Sequence, residues 1–513
     1  MTKGVIVTTA THNQKDRTTN DCRSWVKDRI KPEQIEKYLD DGRCFIDAGA
    51  IEKALAANTN PERQRVREIL AKSLAVETLS PDETACLIHV QDPELLAEMR
   101  EAAGKVKTKV YDNRIVTFAP LYLGNFCVNN CAYCGFRASN SSEQRRVLTL
   151  DEVRRETEVL AGKIGHKRLI VVYGEHPATD VDYIASTLQT IGDVKVKTRR
   201  GWGQIRRCNV NAAPMQIEEL RRLNDVGIGT FQVFQETYHR PTYEKLHPQG
   251  TIKGDYLWRL YAMHRAMEAG IDDVGIGPLF GLYDWRFEVM SVLYHAIELE
   301  AKFGIGPHTV SFPRMEPAHN TPFAQNPEYR VDNDEFKKLI TIIRLAVPYT
   351  GMIVTARENA QLRREVLPLG CTQTDASSQI GIGGYADLVD GQQQGDRQQF
   401  MLGDTRSLDT VVRELAEAGY ITSFCTAGYR CGRTGQKIMG LLRSGQEGQY
   451  CKLNAVITFR EWLDDFGTDE TIAAGEKVIA QEIEQIKTKM PEVFDHFMRY
   501  YEQTQAGHRD LYF

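Results

Sequence analysis

The stretch RIVTFAPLYLGNFCVNNCAYCGF, residues 114–136, decides how this chain is read. It opens with an apolar run of strand composition, RIVTFAPLYL, and passes directly into Cys127, Cys131 and Cys134, spaced C-x3-C-x2-C. Such close spacing lets three thiolates converge on one metal centre and leaves a fourth coordination position free. Iron–sulfur clusters are held by Cys thiolates, usually four. A cubane with three protein ligands therefore keeps one iron open for chemistry. The competing readings are three incidental core cysteines, or a zinc site completed by a remote Cys or His. Structural zinc sites commonly pair two C-x2-C knuckles, and no second knuckle lies nearby.

Composition sets the frame for that motif. The chain has 513 residues, 42% hydrophobic and 26% charged, the balance of a globular protein with a sizeable core. Its net charge of −5 recommends no nucleic-acid partner. No apolar run has the length needed to span a membrane, and the first residues lack the h-region of a signal peptide. Eleven unevenly clustered cysteines are too sparse for a disulfide scaffold. They fit metal-binding thiols in a reducing cytoplasm.

Working outward, residues 1–30 are polar and aperiodic and are read as a flexible arm. Residues 31–109 carry helical periodicity. In SPDETACLIHV, Ser80 is a cap, Pro81 a first-turn residue and Glu83 the partner of a capping box. The following DPELLAEMREAAGKV reads as a second helix with Gly104 near its end. From residue 110 to 420, β-rich runs alternate with helical patterns. The runs are RIVTFAPLYL, RLIVVYGE, RRCNVNAA, GTFQVFQE, DVGIGPLFGL, TVSFPRM, YTGMIVTARE and CTQTDASSQIG. Eight β–α units predict an α/β fold, a parallel (β/α)8 barrel of the TIM type closed by right-handed crossovers. An open doubly wound sheet is the runner-up. Residues 421–513 read as a mostly helical tail domain. In a barrel the chemistry sits at the C-terminal ends of the strands, and the three cysteines directly follow the first of them.

The cysteine spacing, with Tyr133 inside the last gap, resembles the radical S-adenosylmethionine (SAM) superfamily. Longer blocks are similar to the HydG-type tyrosine lyases of that superfamily, which mature the active-site cluster of [FeFe]-hydrogenases. These blocks include GHKRLIVVYGEHP, VGIGTFQVFQETYHRPTYEKLHPQG, RAMEAGIDDVGIG, FGLYDW, AVPYTGMI and GRTG. The related ThiH enzymes also cleave tyrosine but lack the long tail. The resemblance implies a [4Fe–4S] cluster on Cys127, Cys131 and Cys134 whose open iron chelates SAM. It implies cleavage of the Cα–Cβ bond of L-tyrosine to p-cresol and dehydroglycine. It further implies an electron donor such as ferredoxin or flavodoxin, and maturation partner proteins.

Residue by residue, Gly174 and Glu175 resemble the segment that meets the SAM amino group, and Tyr133 matches a position beside the adenine. Arg314 resembles the clamp on the amino-acid carboxylate, a task its bidentate fork suits. Gln235, Glu236, Tyr238, His239 and Arg240, in FQETYHR, are expected at the barrel mouth as substrate-binding groups. His247 reads as a satisfied loop histidine.

The tail departs from the family pattern. A second cluster there is held by C-x2-C-x22-C. This chain keeps the outer positions as Cys425 and Cys451, has Gly428 in the middle, and carries Cys431 three residues later. If the segment is helical, Cys425 and Cys431 stand nearly two turns apart; in an irregular loop Cys425, Cys431 and Cys451 form a feasible triad. The extra-iron histidine of the family aligns with Glu298, and Glu316 and Asp375 replace an Arg and a small polar residue. Formation of carbon monoxide and cyanide is therefore in doubt. The alternatives are a ThiH-like 2-iminoacetate synthase or a diverged lyase without CO and cyanide, and a non-enzymatic iron–sulfur cargo scaffold.

Overall fold

The computed structural model describes residues 19–387, 393, 395–444 and 447–513. Its centre is a closed barrel of parallel strands: β1 (Arg114–Gly124), β2 (Arg168–Tyr173), β3 (Arg207–Asn211), β4 (Phe231–Gln232), β5 (Val274–Ile276), β6 (Thr309–Ser311), β7 (Gly351–Val354) and β8 (Gln373–Asp375). Each strand pairs with the next. Closure comes from β8 on β1, with Val116 opposite Gln373 and Phe118 opposite Asp375. The strands are buried on both faces, as in β2, whose six residues RLIVVY are all buried. Such two-sided burial is what a parallel sheet covered by helices requires. The predicted barrel is the observed one, and the open sheet is not.

Helices follow every strand at the places where the periodicity predicts them, from Leu150–Val159 to Leu408–Glu417. Their starts are chemically marked. Thr149 with Glu152, Asp332 with Glu335 and Ser80 with Glu83 form reciprocal capping boxes. Each satisfies two backbone N–H groups that the first helical turn leaves without partners.

Two local expectations change. The helix opened by Pro93 does not end near Gly104 but runs to Tyr111 and feeds β1. Gly104 is there for contact: a Cβ would lie 3.2 Å from the carbonyl oxygen of Pro368. The arm expected over residues 1–30 lies outside the described residues up to position 18, and from Thr19 to Arg29 it is a helix. Arg29 is buried and ion-paired with Glu219 at 2.5 Å, fastening that helix to the barrel wall.

The periodicity missed a ninth strand, β9 (Ile421–Ser423), which runs parallel to the first residues of β1 with Arg114 opposite Ile421. Val116 thus has Gln373 and Ser423 as strand partners. The remaining tail consists of helices, the longest being Glu447–Phe466 and Asp469–Lys489. Buried Glu461 meets Lys167 at 3.1 Å and Arg206 at 2.9 Å, joining tail to barrel. Among the described residues no helix is long and apolar enough to cross a membrane.

Candidate active site

The cysteine loop leaves β1 across the top of β2. Gly174 N–H donates to Gly124 O at 2.8 Å, and Val128 N–H donates to Glu175 O at 2.8 Å. A Cβ on Gly174 would stand 2.2 Å from Phe126 O, so only glycine lets the loop lie this close. Cys127, Cys131 and Cys134 all line one cavity at the C-terminal ends of the strands, together with Tyr133, Gly174, Glu175 and Glu236. Burial raises the Cys127 thiol and pushes Cys131 up to about 12, with nearby Lys253 opposing the rise. These thiols are thus poorly poised to ionise alone; a bound cationic centre would supply the missing stabilisation. Amide N–H groups stand near the sulfurs: Asn129 Nδ2 is 3.7 Å from Cys127 Sγ, and Gln399 Nε2 is 3.5 Å from Cys134 Sγ. Hydrogen bonds of this kind tune cluster potentials.

Glu175 is buried, and burial raises its carboxyl. Asn129 donates to one oxygen, while Oε1 is buried with no partner. An orphaned buried acceptor beside a cluster loop fits an incoming ammonium, as charge-assisted hydrogen bonding would require. Tyr133 is fixed by its hydroxyl, 2.8 Å from His247 Nε2, while His247 Nδ1 lies 2.7 Å from Tyr243 O. His247 is satisfied on both nitrogens, and burial holds it neutral, down to about 3.

Of the FQETYHR segment, Phe234 and Glu236 line the cavity, and among the five residues expected to bind substrate only Glu236 does. Its φ of 72° is the reason: a left-handed residue at the end of the strand breaks the in–out alternation that follows. Glu236 Oε1 accepts from Lys253 Nζ at 2.7 Å and Arg259 Nη2 at 3.0 Å. Although burial opposes ionisation, these two cations hold the carboxyl down at about 2. Gln235 is buried away from the cavity. The Tyr238 hydroxyl is 2.8 Å from His295 Nδ1, behind the barrel wall. His239 stacks on Tyr283 with ring centroids 3.7 Å apart, and Arg240 pairs with Glu244 on an exposed turn.

Arg314 also turns away. Its guanidinium forks onto Glu358, with Nε donating to Oε1 at 2.9 Å and Nη2 to Oε2, and Nη1 donates to Val331 O at 2.9 Å. Two arginines do line the cavity: Arg259, committed to Glu236, and Arg357, one strand further on from Arg314. Arg357 stacks on Phe400, 3.3 Å from the ring centroid, and among the described residues has no carboxylate partner. Sequence reasoning missed it, although YTGMIVTARE ends β7 as SFPRM ends β6. Asp375 lines the cavity as well, with Oδ1 accepting from Ala356 N–H at 2.7 Å and Oδ2 from the Ser378 hydroxyl at 2.5 Å.

Beneath the barrel, the helix in the tail segment begins only at Ala427 and ends at Arg430. Cys425 precedes it in a left-handed conformation, φ 47°, and Cys431 caps it. Cys425 and Cys451 both act electrostatically on buried Tyr111. Cys431 instead directs its thiol to Phe513 O at 3.5 Å. Glu298 pairs with His264 at 3.3 Å on the outer face of the barrel. His308 Nε2 lies 3.3 Å from the hydroxyl of Tyr429, and the Cys425 thiol acts electrostatically on that tyrosine. Among the described residues no three His, Cys, Asp or Glu side chains converge on a single-ion position.

A closed parallel barrel with a cysteine loop after its first strand and a carboxylate-flanked cavity above it is the architecture of a radical SAM enzyme. The Radical SAM superfamily model matches residues 121–289, and the Biotin and Thiamin Synthesis associated domain matches 311–421. A crystal structure of HydG, a maturase of the [FeFe]-hydrogenase, superposes with a TM-score of 0.86 at 47% identity, over 91% of this chain and 100% of that one. HydG from Carboxydothermus hydrogenoformans gives 0.73 at 34%, over 93% and 99%. The 2-iminoacetate synthase of Salmonella typhimurium is 32% identical over 68% of this chain and 87% of its own. The chain belongs to the HydG family of radical SAM enzymes.

Proposed function

We propose that the protein is a radical SAM carbon–carbon lyase that cleaves L-tyrosine to p-cresol and dehydroglycine, as a HydG-type enzyme of hydrogenase maturation. One observation carries the reading: a single cavity unites three thiols, the orphaned oxygen of Glu175 and the guanidinium of Arg357, which is stacked on Phe400 and donates to Arg314 O at 3.4 Å but forms no ion pair among the described residues. Cys127, Cys131 and Cys134 would hold a [4Fe–4S] cluster. Glu175 would receive the SAM ammonium, with Tyr133 beside the adenine and Lys253 and Arg259 offering positive charge to its carboxylate. When bound, the cluster and SAM would supply a 5′-deoxyadenosyl radical for hydrogen abstraction from the substrate amine. The chain's own part is to orient both molecules and to exclude water through its closed barrel wall. Reduced ferredoxin or flavodoxin would deliver the electron, in the cytoplasm. Anaerobic incubation with SAM, dithionite and tyrosine tests the reading by p-cresol formation. Absence of p-cresol while SAM is cleaved with another amino acid would overturn it.

Arg357, not Arg314, is the proposed clamp on the substrate carboxylate. An Arg–carboxylate hydrogen bond is worth about 1.5–3 kcal/mol. Arg357→Ala is therefore expected to weaken tyrosine binding by roughly ten- to a hundredfold, with the cluster spectrum unchanged. Arg314→Ala should leave tyrosine affinity alone but strand buried Glu358, costing about 3–5 kcal/mol of stability. Calorimetry of tyrosine binding and thermal melts of both variants separate the two roles; a reversed pattern would return the clamp to Arg314.

In the tail, we infer that the enzyme holds an altered auxiliary cluster or none, and makes little cyanide or CO. Gly428 offers no ligand, and Cys431 is engaged with the carbonyl of Phe513. This chain would then release dehydroglycine, the ThiH-like outcome, despite its HydG-like length.

A further inference from the structure

Four carboxylates line the active cavity: Glu175, Glu236, Glu316 and Asp375. Three are committed. Glu236 carries Lys253 and Arg259. Asp375 uses both oxygens to tie Ala356 N–H and the Ser378 hydroxyl across the β7 and β8 ends. Glu175 bonds Asn129 and faces the cysteine loop. Glu316 is the one of these four for which the described residues show neither a hydrogen bond nor an ion pair. Its position is nonetheless fixed. The loop that carries it is pinned by Met315 N–H donating to Phe280 O at 2.9 Å and by Met401 N–H donating to Pro317 O at 2.9 Å.

The chemistry of the proposed reaction has a gap that such a group fills. At neutral pH tyrosine arrives with its amine protonated. A hydrogen atom leaves an ammonium with difficulty, because the resulting nitrogen radical cation has no lone pair left to stabilise it. A neutral amine yields its hydrogen far more readily. The substrate must therefore lose a proton inside the cavity before the radical step. In an α-amino acid the nitrogen and the carboxyl group share one carbon. A base close to the carboxylate clamp consequently lies close to the amine.

We propose that Glu316 is the base that takes this proton, working next to the carboxylate clamp Arg357. The ammonium N–H bond breaks with its electron pair remaining on nitrogen, and the proton passes to a carboxylate oxygen of Glu316. No electron is exchanged in the step, and it needs no co-reactant. The assignment rests on the tyrosine-lyase reading given above. The surroundings suit the role. Burial pushes the Glu316 carboxyl up to about 7, the Glu358 charge adds to the rise, and Arg357, Arg314 and Arg330 oppose it. A base of that strength is ionised in an appreciable fraction at neutral pH and still accepts a proton. The other three carboxylates lack this combination of a free oxygen and a place on the substrate side.

The test is the pH dependence of tyrosine-dependent p-cresol formation by the cluster-loaded enzyme, alongside tyrosine binding measured without reductant. In the unmodified enzyme kcat/KM should rise with pH and level off above about 7, because the base form accumulates through that value. Glu316→Gln should fall roughly a hundredfold in kcat and lose the rising limb, with tyrosine affinity changed far less. Glu316→Asp should keep the limb at a reduced rate, which shows that the carboxylate and not the fold is being read. If Glu316→Gln keeps the rising limb, or loses only a few-fold in rate, the assignment to Glu316 is overturned while p-cresol formation still upholds the lyase. If the unmodified enzyme forms no p-cresol, the lyase reading falls and the base with it.

Discussion

Replacing any one of Cys127, Cys131 or Cys134 with Ala is expected to abolish SAM cleavage outright. The reason is geometric as much as chemical. The loop is held against β2 by Gly174 and Glu175 backbone contacts, so the two remaining thiolates cannot shift to embrace a cubane alone. Neither can a neighbouring cysteine substitute, since Cys208 lies on β3 with its side chain outside the cavity lining. Iron content and the visible absorbance of the reconstituted variants measure the effect, with 5′-deoxyadenosine as the activity readout. A variant that still forms 5′-deoxyadenosine at the unmodified rate would exclude that cysteine as a ligand.

The second large effect is a gain. Gly428→Cys should raise the iron of reconstituted protein from about four to about eight, the content of two cubanes. A side chain fits there: the nearest atoms to an added Cβ are Arg433 O at 3.8 Å and Arg433 Cβ at 4.0 Å. The new thiol would join Cys425 and Cys451, which already share the surroundings of Tyr111. Cys431 does not fill that role while its thiol is turned to Phe513. If the unmodified protein already binds about eight irons, Cys431 has taken over from the missing thiol and the gain does not appear; stoichiometric CO and cyanide would return the tail to ordinary HydG function.

The barrel was legible because every unit repeats one local grammar, an apolar run, a capped start and an amphipathic helix, and local grammar survives without tertiary context. That the cysteine triad and the Gly174–Glu175 pair come together in one cavity was legible for a related reason: their spacing is short and they follow directly on strand ends. What escaped depends on backbone detail or on long-range pairing. The six polar residues of FQETYHR look equivalent in one dimension, yet of these only Glu236, left-handed at φ 72°, reaches the cavity. Arg314 and Arg357 stand at similar strand ends, and only the fork onto Glu358 tells them apart. β9 is three residues long, and its existence depends on a partner hundreds of residues earlier. His308 meets the hydroxyl of Tyr429, 121 residues away in sequence, a meeting no spacing rule foretells.

The double pairing of Val116 bears on how the protein comes into being. Its strand partners Gln373 and Ser423 leave the ribosome long after it does. During synthesis the cysteine loop is therefore exposed on a half-built, open sheet, and the barrel seals only when the last strands arrive. Contacts of such high sequence separation close slowly, and nascent chains of this size pass through intermediates with unpaired strand edges. Through that interval Cys127, Cys131 and Cys134 stand on a sheet whose wall has not yet shut around them.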